Sequence, residues 1–327
     1  MTKDAVIAIL KNENSYISGE KISTALGISR AAVNAAVRSL RKEGYIILSS
    51  TNKGYLLESA PDTLHTGDLM ALLSAKRMKD VICLDRVDST NRYLGNLALD
   101  GAPDGQIVLS GEQTDGRGRR GRTFFSPRGK GLYLSMLLRP FCAPTDVSTI
   151  TAWTAVAVMR AIEEVCGMKP GIKWVNDLFL NGKKISGILT EMSVESESGH
   201  IQHVIIGIGL NVSETRDDFP EELTDTAGSL LTETGTHYSR AALAAAIIQK
   251  LDELRLDWPQ EKQAYLDAYR TNNIVIGKSI LVRTGNTTTP AIAEGISDNF
   301  ELQVLYPDHT TASLSSGEVS LLLTPEQ

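Results

Sequence analysis

A short segment over residues 116–122, called the arginine loop below, combines four arginines with three glycines. Glycine removes side-chain bulk, so backbone N–H groups can turn towards a ligand, while guanidinium groups supply fixed positive charge. This combination predicts a binding loop for a ligand that carries phosphate. Because four guanidiniums this close together repel one another, we expect the empty loop to be mobile and to become ordered around a polyanion. The alternatives are an RNA-binding Arg-Gly segment or a merely solvated loop, but Arg-Gly segments are usually longer, repeated and disordered, whereas this one lies between two apolar strands.

Two further features downstream could also meet an anionic or flat ligand. Lys184 follows an Asn-Gly turn and enters an apolar strand, which places its ammonium group to meet a carboxylate or a phosphate in a pocket. Asp177 follows a strand and a turn signal, where its carboxylate can hold Mg²⁺ or orient a lysine. A later apolar strand contains Gly207 and Gly209, where a flat ligand could approach the backbone. Taken alone, each feature is also typical of a surface hairpin, a turn or a core strand.

The elements around these residues alternate between strands and helices over residues 66–270. Their patterns predict strands over residues 81–87, 106–110 and 131–138, a helix from Ser89 or Thr90 to Leu99, and a long helix over residues 149–167. Such alternation predicts a central mixed α/β domain of about 200 residues.

Beyond residue 270 the pattern changes to short strands separated by Gly, Asn and Asp turns. These strands are predicted over residues 279–283, 291–296, 302–306 and 319–323. We therefore expect residues 271–327 to form a small β-barrel. Nothing in the residues of this region alone indicates a function.

Residues 1–65 have the pattern of three short helices followed by a β-hairpin. The helices are predicted over residues 4–12, over residues 18–26 with a stop at Gly27, and from the N-cap Ser29 to Gly44. The hairpin follows, with a Thr-Asn-Lys-Gly turn at its tip. Two helices joined by a very short turn, with a hairpin after them, predict a winged helix-turn-helix. The chain as a whole is therefore expected to be an α+β multidomain protein.

The third helix of this head would present polar and basic side chains to DNA. The candidates for contacts with phosphates or base edges are Ser29, Arg30, Asn34, Arg38, Arg41 and, on the wing, Lys53. Residues 1–66 hold eight Lys and Arg against six Asp and Glu, although the whole chain carries a net charge of −6. A protein-interaction domain with a solvated basic face is the alternative. DNA binding is favoured because the basic residues lie on the helix that would enter the groove.

The overall composition excludes several classes of protein. With 42% hydrophobic and 22% charged residues among 327, the chain is neither disordered nor collagen-like. No apolar run approaches the ~18 residues that cross a bilayer, and no secretory core begins the chain. Cys83, Cys142 and Cys166 are odd in number and far apart, which favours neither a disulfide framework nor a zinc site. We therefore expect a cytoplasmic protein with no membrane partner.

Several motifs occur together in an order that resembles the biotin protein ligases. They are Ser89-Thr90-Asn91, the arginine loop, Lys-Trp-x-Asn-Asp at 173–177, Lys-x-x-Gly-Ile-Leu at 184–189 and Gly-Ile-Gly-Leu-Asn-Val at 207–212. With its winged head, nearly the whole chain resembles the bifunctional members that double as the biotin operon repressor. Two positions depart from the family: Phe124 stands where Trp is frequent, and Val175 where Pro is frequent. Because Phe124 keeps an aromatic lid over adenine or biotin, we expect a changed affinity and a retained activity.

The resemblance implies a ligase that works in two steps. The carboxylate of biotin attacks the α-phosphate of ATP to give biotinyl-AMP, and a lysine of the biotin carboxyl carrier protein of acetyl-CoA carboxylase then takes the biotin. The resemblance implies biotin contacts from Ser89, Thr90, Asn91, Gln113, Arg117, Gly118, Arg119 and Lys184. It implies contacts with ATP or the adenylate from Arg119, Arg120, Arg122, Phe124, Lys173, Asn176, Asp177 and Asn211. Lys184, Arg119 and Asp177 are implied to be the catalytic residues.

The resemblance also implies partners and a mode of regulation. Mg²⁺ would arrive on the ATP phosphates, with Asp177 as a candidate ligand. Operator DNA of biotin genes would bind a homodimer promoted by biotinyl-AMP, and we expect its edge near residues 187–194 and 204–212. The C-terminal barrel would be an SH3-like cap beside the active site.

Two other functions remain open at this point. A lipoate protein ligase shares the general fold and the adenylation chemistry, but typically carries an Arg-Arg-x-x-Gly-Gly-Gly loop that this chain lacks. A regulator that binds a small effector without catalysis is the second alternative. The presence of Lys184 and of a complete arginine loop disfavours it.

Overall fold

The computed structural model describes residues 2–195, 199–284 and 287–321. Its N-terminal head consists of α1 (Thr2–Lys11), α2 (Gly19–Leu26), α3 (Arg30–Lys42), β1 (Ile46–Ser50) and β2 (Gly54–Ser59). Ser29 caps α3, since its Oγ accepts a hydrogen bond from the backbone N–H of Ala32 at 3.1 Å. Val6, Ile22, Val33 and Leu40 are among the buried side chains of its own core. The predicted winged helix-turn-helix is confirmed, with an earlier start of the first helix.

The central region forms a seven-stranded mixed sheet packed with helices. Its elements are α4 (Thr66–Met70), α5 (Ala75–Met78), β3 (Val81–Leu84), α6 (Thr90–Leu99), β4 (Ile107–Ser110), β5 (Leu132–Leu138), α7 (Pro144–Cys166), β6 (Gly171–Lys173), β7 (Asp177–Leu180), β8 (Lys183–Val194), β9 (Ile201–Leu210), α8 (Leu230–Thr234), α9 (Arg240–Asp257) and α10 (Lys262–Thr271). The strand order is β3-β4-β5-β9-β8-β7-β6, with β3 and β4 parallel and the other neighbours antiparallel. The expected mixed α/β architecture is confirmed.

Alternate side chains of the central strands face two different apolar layers. Val108 and Leu137 pack with Leu94 of α6. Their chain neighbours Leu109 and Met136 belong instead to the larger core that includes α7 and α9. Because successive strand residues point to opposite faces, this pattern puts α6 on one face of the sheet and α7 with α9 on the other.

Two predicted elements of the central region differ from the observed ones by three or more residues at one end. The strand predicted over residues 81–87 ends at Leu84, and beyond it Val87 pairs only through an isolated bridge to Gln113. The helix predicted over residues 149–167 begins earlier, with Pro144 in its first turn, where a missing N–H costs no hydrogen bond. No helix within the described ranges is long and apolar enough to cross a membrane.

The strand pairing also corrects one of the expected dimer edges. β9 lies between β5 and β8, so the expectation that residues 204–212 form an edge is wrong. β8 pairs with β7 only from Lys183 to Gly187. Over residues 189–194, β8 therefore has β9 on one side and no second described strand on the other. Met192 and Val194 on this open part are 44% and 41% exposed.

The C-terminal region is a five-stranded antiparallel sheet. Its strands are β10 (Ser279–Thr284), β11 (Thr287–Ile296), β12 (Leu302–Leu305), β13 (Thr311–Leu314) and β14 (Glu318–Leu321). In the order β13-β12-β11-β10-β14, the two outer strands do not pair with each other within the described residues, so the expected barrel is not seen closed. The sequence patterns missed β13 and the first part of β11, and residues 322–323 of the predicted last strand lie outside the described residues.

The head packs directly on the central region through α4. A Cβ added to Gly67 would lie 2.4 Å from Ile7 Cγ2 of α1, so only glycine allows this approach. The buried carboxylate of Asp68 accepts a hydrogen bond from Tyr45 Oη at 3.1 Å and forms an ion pair with Lys11 at 2.5 Å. These contacts tie the wing and α1 to the start of the central region.

Candidate active site

The residues that the family resemblance assigns to ligands line one cavity of about 490 Å³. Its walls come from the arginine loop, from β8 and β9, from a segment between residues 219 and 227, and from residues 317–319. The lining includes Ser89, Thr90, Asn91, Gln113, Arg117, Gly118, Arg119, Arg120, Arg122, Phe124, Lys173, Asn176, Asp177, Lys184 and Asn211. The fold thus brings together residues spread over more than a hundred positions, while their individual roles remain predictions.

The first turn of α6 supplies one polar end of this cavity. Thr90 donates from its backbone N–H and from Oγ1 to Gln113 Oε1 at 2.9 and 3.1 Å. Ser135 Oγ lies 2.8 Å from Thr90 Oγ1 and donates to Asn91 Oδ1 at 2.6 Å. Gln113 Nε2 donates onward to Ser126 Oγ at 3.0 Å. These bonds hold the side chains in fixed orientations, which suits recognition of a small polar head group.

The two glycines of β9 make room for side chains of the protein itself. A Cβ on Gly207 would lie 2.2 Å from Asn91 Oδ1, and one on Gly209 would lie 2.4 Å from Phe124 Cε1. Gly207 and Gly209 also line the cavity, so the expectation that a flat ligand approaches the backbone there stays a prediction, with Asn91 and Phe124 beside the two glycines. Phe124 also packs edge-on against Tyr133, with ring centroids 6.4 Å apart. An aromatic ring thus lies in the cavity wall at the position where the family resemblance led us to expect Trp.

The arginine loop forms a closed hairpin over the cavity. Gly118 N donates to Arg122 O at 2.7 Å, and Phe124 N donates to Gly116 O at 2.9 Å. Arg119 Nη1 donates to Asn176 Oδ1 at 3.0 Å. On the opposite side of the hairpin, the exposed Arg122 forms an ion pair with Glu318 of β14 at 2.7 Å. The loop therefore connects the central region to the C-terminal sheet.

Positive charge is concentrated around one acidic side chain of the cavity. Lys184 Nζ lies 2.7 Å from Asp177 Oδ1, although the two residues belong to different strands. Of the two roles that the sequence left open for Asp177, the geometry favours orienting this lysine. Burial lowers the pKa of Lys173, an effect that Asp177 opposes and Lys184 strengthens. Burial also lowers the pKa of Arg119, with the same opposition from Asp177.

These pKa shifts show that the cavity holds positive charge under partial desolvation. Such charge is costly without a counterion and is stabilised by an anion that enters the cavity. A ligand with a carboxylate and phosphates meets this condition. The arrangement can therefore bring two anionic groups together, which is the chemistry of carboxylate activation by a nucleotide.

Sequence reasoning missed several residues that the fold brings to this site. Ser126 and Ser135 complete the hydrogen-bond chain of Gln113 and Asn91, and Glu318 anchors Arg122. Glu191 of β8 accepts from Asn91 Nδ2 at 2.7 Å. A serine in the otherwise apolar strand β5 and a glutamate in β8 were the available signals, but neither type alone indicates a site.

The side chains that are expected to bind DNA are exposed on the head, and one of them also holds two elements of the head together. Ser29, Arg30, Asn34, Arg38 and Lys53 are all exposed. Arg38 Nε donates to Asn34 Oδ1 at 2.7 Å, which keeps both side chains on one face of α3. Arg41, in contrast, donates from Nε to Ile47 O at 2.9 Å and from Nη2 to Ser49 Oγ at 2.6 Å. Its guanidinium therefore holds α3 to the wing, and since Arg41 is also exposed, its contact with DNA stays a prediction.

The fold and the cavity define an α/β ligase domain joined to a winged DNA-binding head. Residues 83–211 match the Biotin/lipoate A/B protein ligase family, and residues 2–56 match an HTH domain. The bifunctional ligase/repressor BirA of Bacillus subtilis (strain 168) is 37% identical over 300 residues, which is 91% of this chain and 92% of that protein. Its counterpart from Escherichia coli (strain K12) is 30% identical over 317 residues, 97% of this chain and 96% of that one. The chain belongs to this family of bifunctional biotin ligase/repressors.

A solved structure shares the fold of most of this chain. The structure of the biotin protein ligase from Aquifex aeolicus in complex with biotin and ATP superimposes with a TM-score of 0.63 at 29% identity. The match covers 75% of this chain and 99% of that one.

Proposed function

We propose that this protein activates biotin with ATP and transfers it to a lysine of the biotin carboxyl carrier protein. The observation that carries the proposal is the position of Lys184 and Arg119 in one cavity with the side chains of Asn91 and Gln113. The first two supply positive charge, and the last two supply fixed hydrogen-bonding groups for a neutral head group. Biotin needs both, because its carboxylate reacts while its ring system is only held.

In the first step, a carboxylate oxygen of biotin attacks the α-phosphorus of ATP, and the bond to pyrophosphate breaks. Two anions must approach each other, so the barrier falls when cations lie where the charge accumulates. Lys184, held by Asp177 at 2.7 Å, is placed to bridge the carboxylate and the α-phosphate. Arg119, fixed by Asn176 at 3.0 Å, covers the same phosphate from the loop.

In the second step, the ε-amine of a carrier lysine attacks the carbonyl carbon of biotinyl-AMP and expels AMP. The adenylate is already activated, so the protein needs to exclude water and to position the amine. The arginine loop supplies the cover, and it must open on one side for the carrier lysine to enter. This requirement assigns the loop a second function beyond phosphate binding.

Mg²⁺ would enter this cavity as an ion bound to ATP. Within the described ranges, no group of three His, Cys, Asp or Glu side chains is arranged to hold a metal ion. Mg²⁺ commonly binds substrate phosphates, several waters and one or two carboxylates, and it neutralises phosphate charge there. Asp177 lines the cavity and is the candidate carboxylate, shared with Lys184.

Mass spectrometry of the carrier protein tests the ligase proposal. Incubation with biotin and MgATP should add one biotinyl group to one carrier lysine, whereas lipoate in place of biotin should add nothing. A carrier that is modified by lipoate and not by biotin would instead assign a lipoate ligase. Binding of biotin without any carrier modification or pyrophosphate release would favour a regulator without catalysis.

We further propose that the head binds operator DNA of biotin genes as part of a homodimer. A single winged helix reads too few base pairs for specificity in a genome, and a dimer on two half-sites solves this problem. Residues 189–194 of β8 are the supporting feature, because this open part of the strand can pair with the same part of a second copy. Biotinyl-AMP orders the arginine loop beside this edge and so lowers the entropic cost of pairing.

Through this coupling, the availability of biotin becomes the regulatory signal. While carrier protein lacks biotin, it consumes the adenylate and competes for the open face. Once the carrier is biotinylated, the adenylate persists, dimers form and biotin genes are silenced. We place these events in the cytoplasm, where both the carrier and the operator are present.

Sedimentation with and without biotin plus MgATP tests the dimer, alongside binding to operator DNA. A Met192→Lys variant places charge on the open edge and should remain monomeric while it still releases pyrophosphate. If the adenylate changes neither the oligomeric state nor the operator affinity of the unmodified protein, the coupling is wrong. The ligase proposal would remain intact.

We keep three domains as part of this proposal, over residues 1–65, 66–270 and 271–327. The separate apolar core of the head supports the first boundary. The C-terminal sheet shares the large core with the central region, and Trp174 Nε1 donates to Phe300 O at 3.1 Å. This attachment fits an SH3-like cap that works as part of the active site.

A further inference from the structure

We propose that Glu191 is a positioning residue that joins the biotin end of the cavity to the arginine loop. Its Oε2 accepts a hydrogen bond from Asn91 Nδ2 at 2.7 Å, and its Oε1 forms an ion pair with Arg117 Nη1 at 2.9 Å. One carboxylate therefore contacts both a biotin-assigned residue of α6 and the first arginine of the loop. The inference rests on the proposed ligase function and adds to it the device that ties loop closure to the biotin end.

The position of Glu191 on β8 explains how it reaches both partners. Gly187 and Leu189 line the cavity, and Glu191 is the next residue on the same face because strand side chains alternate. It also lies within the part of β8 that has no second neighbouring strand among the described residues. Glu191 is thus the point where the cavity, the loop and the open edge meet.

The two contacts have different chemical requirements. Ser135 Oγ donates to Asn91 Oδ1 at 2.6 Å, so the amide group of Asn91 must turn its NH₂ towards Glu191. An acceptor oxygen at residue 191 satisfies that NH₂ whether or not it is charged. The contact with Arg117 depends on the negative charge, because guanidinium needs an anionic partner to form an ion pair.

The contact with Arg117 has the properties of a reversible latch. The side chains of Arg117 and Glu191 are 43% and 32% exposed, and ion pairs with such access to water are weak. A weak pair allows the loop to open for the carrier lysine and to close again over the adenylate. Since Asn91 holds the other carboxylate oxygen, correct packing at the biotin end keeps the latch in place.

Glu191→Gln and Glu191→Ala separate the two contacts. Glutamine keeps an acceptor for Asn91 but loses the charge, so the KM for biotin should change by less than about twofold while biotinyl-AMP dissociates about tenfold faster. Trypsin should also cut the glutamine variant within residues 117–122 despite biotin and MgATP. Alanine loses both contacts, so biotinyl-AMP should dissociate as fast as from the glutamine variant and the KM for biotin should also rise about tenfold.

A matched control removes a different negative charge close to the loop. Asp115 pairs with Arg92 at 2.7 Å and does not pair with Arg117, so Asp115→Asn should retain the adenylate like the unmodified protein. A double-mutant cycle adds Arg117→Gln, in whose background Glu191→Gln should have no further effect on adenylate release. Melting temperatures of all variants show whether each is folded.

The outcomes distinguish this inference from the function on which it rests. If the unmodified protein releases no pyrophosphate with biotin and MgATP, the proposed function fails. If it does, but Glu191→Gln retains the adenylate and its tryptic protection, the latch is refuted. The latch is also refuted if the effects of Glu191→Gln and Arg117→Gln on adenylate release add in the double variant. Two residues that act through one contact should not have additive effects.

Discussion

Lys184 of β8 and Asp177 of β7 form an ion pair with Nζ and Oδ1 separated by 2.7 Å. Asp177 lies opposite Gly187 in the antiparallel register, and the side chain of Lys184 lies over Gly187, where an added Cβ would be 3.2 Å from Lys184 Nζ. The pair holds the lysine in the cavity before any substrate arrives, which reduces the reorganisation needed in the reaction. The geometry therefore supports the prediction that Asp177 orients Lys184.

Lys184→Ala should nearly abolish adenylate formation and leave the fold intact. Losing one charged contact to a transition state costs about 2–4 kcal/mol, which corresponds to a rate loss of roughly 30- to 1000-fold. The measurement is pyrophosphate release with biotin and MgATP. The adjacent Lys183 is a matched control, because it does not line the cavity and its Nζ donates to the backbone O of Asp225 at 2.6 Å. Near-normal release by folded Lys184→Ala protein would remove the lysine from the mechanism.

The arginine loop should be cut by trypsin in the unliganded protein and protected by biotin plus MgATP. Its hairpin is closed by few backbone hydrogen bonds, and its ion pairs with Glu191 and Glu318 are open to water and therefore weak, so an anion that binds the arginines should add to its order. Cleavage after Arg117 to Arg122 is followed by mass spectrometry, with cleavage after the exposed Lys53 as an internal reference. Equal cutting with and without ligands would show that the loop is a passive surface segment.

Glu214 should make the folded state less stable as the pH rises from about 5 to about 8. Burial raises the pKa of this carboxyl from 4.5 to about 7, and backbone amides and Arg240 offset only part of the effect. The folded protein therefore binds the proton more tightly than the unfolded chain, so stability falls between these two pKa values, by on the order of 3 kcal/mol. Urea unfolding at several pH values measures this slope.

Glu214→Gln is the variant that isolates this group. It should be more stable than the unmodified protein at pH values above the folded pKa and should lack the decrease assigned to Glu214. Identical pH profiles for the two proteins would mean that the carboxyl is not desolvated in the folded state.

Arg38→Ala and Arg41→Ala should separate DNA binding from stability of the head. Arg38 is exposed on α3 beside Asn34, so its loss should weaken operator binding by about 1–3 kcal/mol without changing the melting temperature. Arg41 holds the wing through Ile47 O, so its loss should lower stability by about 1 kcal/mol. Fluorescence anisotropy with operator DNA and thermal melts give the two readouts. A swap of these two phenotypes would contradict the assignment of the DNA-binding face.

The sequence was sufficient for the features that depend on local patterns. The third helix of the head follows from its predicted N-cap Ser29, whose side chain accepts a hydrogen bond from the backbone N–H three residues further on. The motif residues that line the cavity could also be named from the sequence, because their types and their order along the chain together identify them. The arginine loop illustrates this, since its composition alone predicts an anion site.

Features that depend on strand order and on long-range contacts could not be read from local patterns. Residues 204–212 have the same apolar pattern in an edge strand and in an interior strand, so only the pairing with β5 and β8 excludes an edge. Arg38 and Arg41 are both arginines of α3, yet of these two only Arg41 donates a hydrogen bond to the wing. Gly207 and Gly209 predicted a close approach, and the approaching groups proved to be Asn91 and Phe124.

Pyrophosphate release measured in parallel with biotin and with lipoate tests the central claim most directly. The unmodified protein and MgATP should release pyrophosphate with biotin in proportion to enzyme, and then steadily when carrier protein consumes the adenylate. Lipoate should give no release above the rate without a carboxylate substrate. Release with lipoate alone, or none with either substrate, would contradict the assignment of this chain as a biotin ligase.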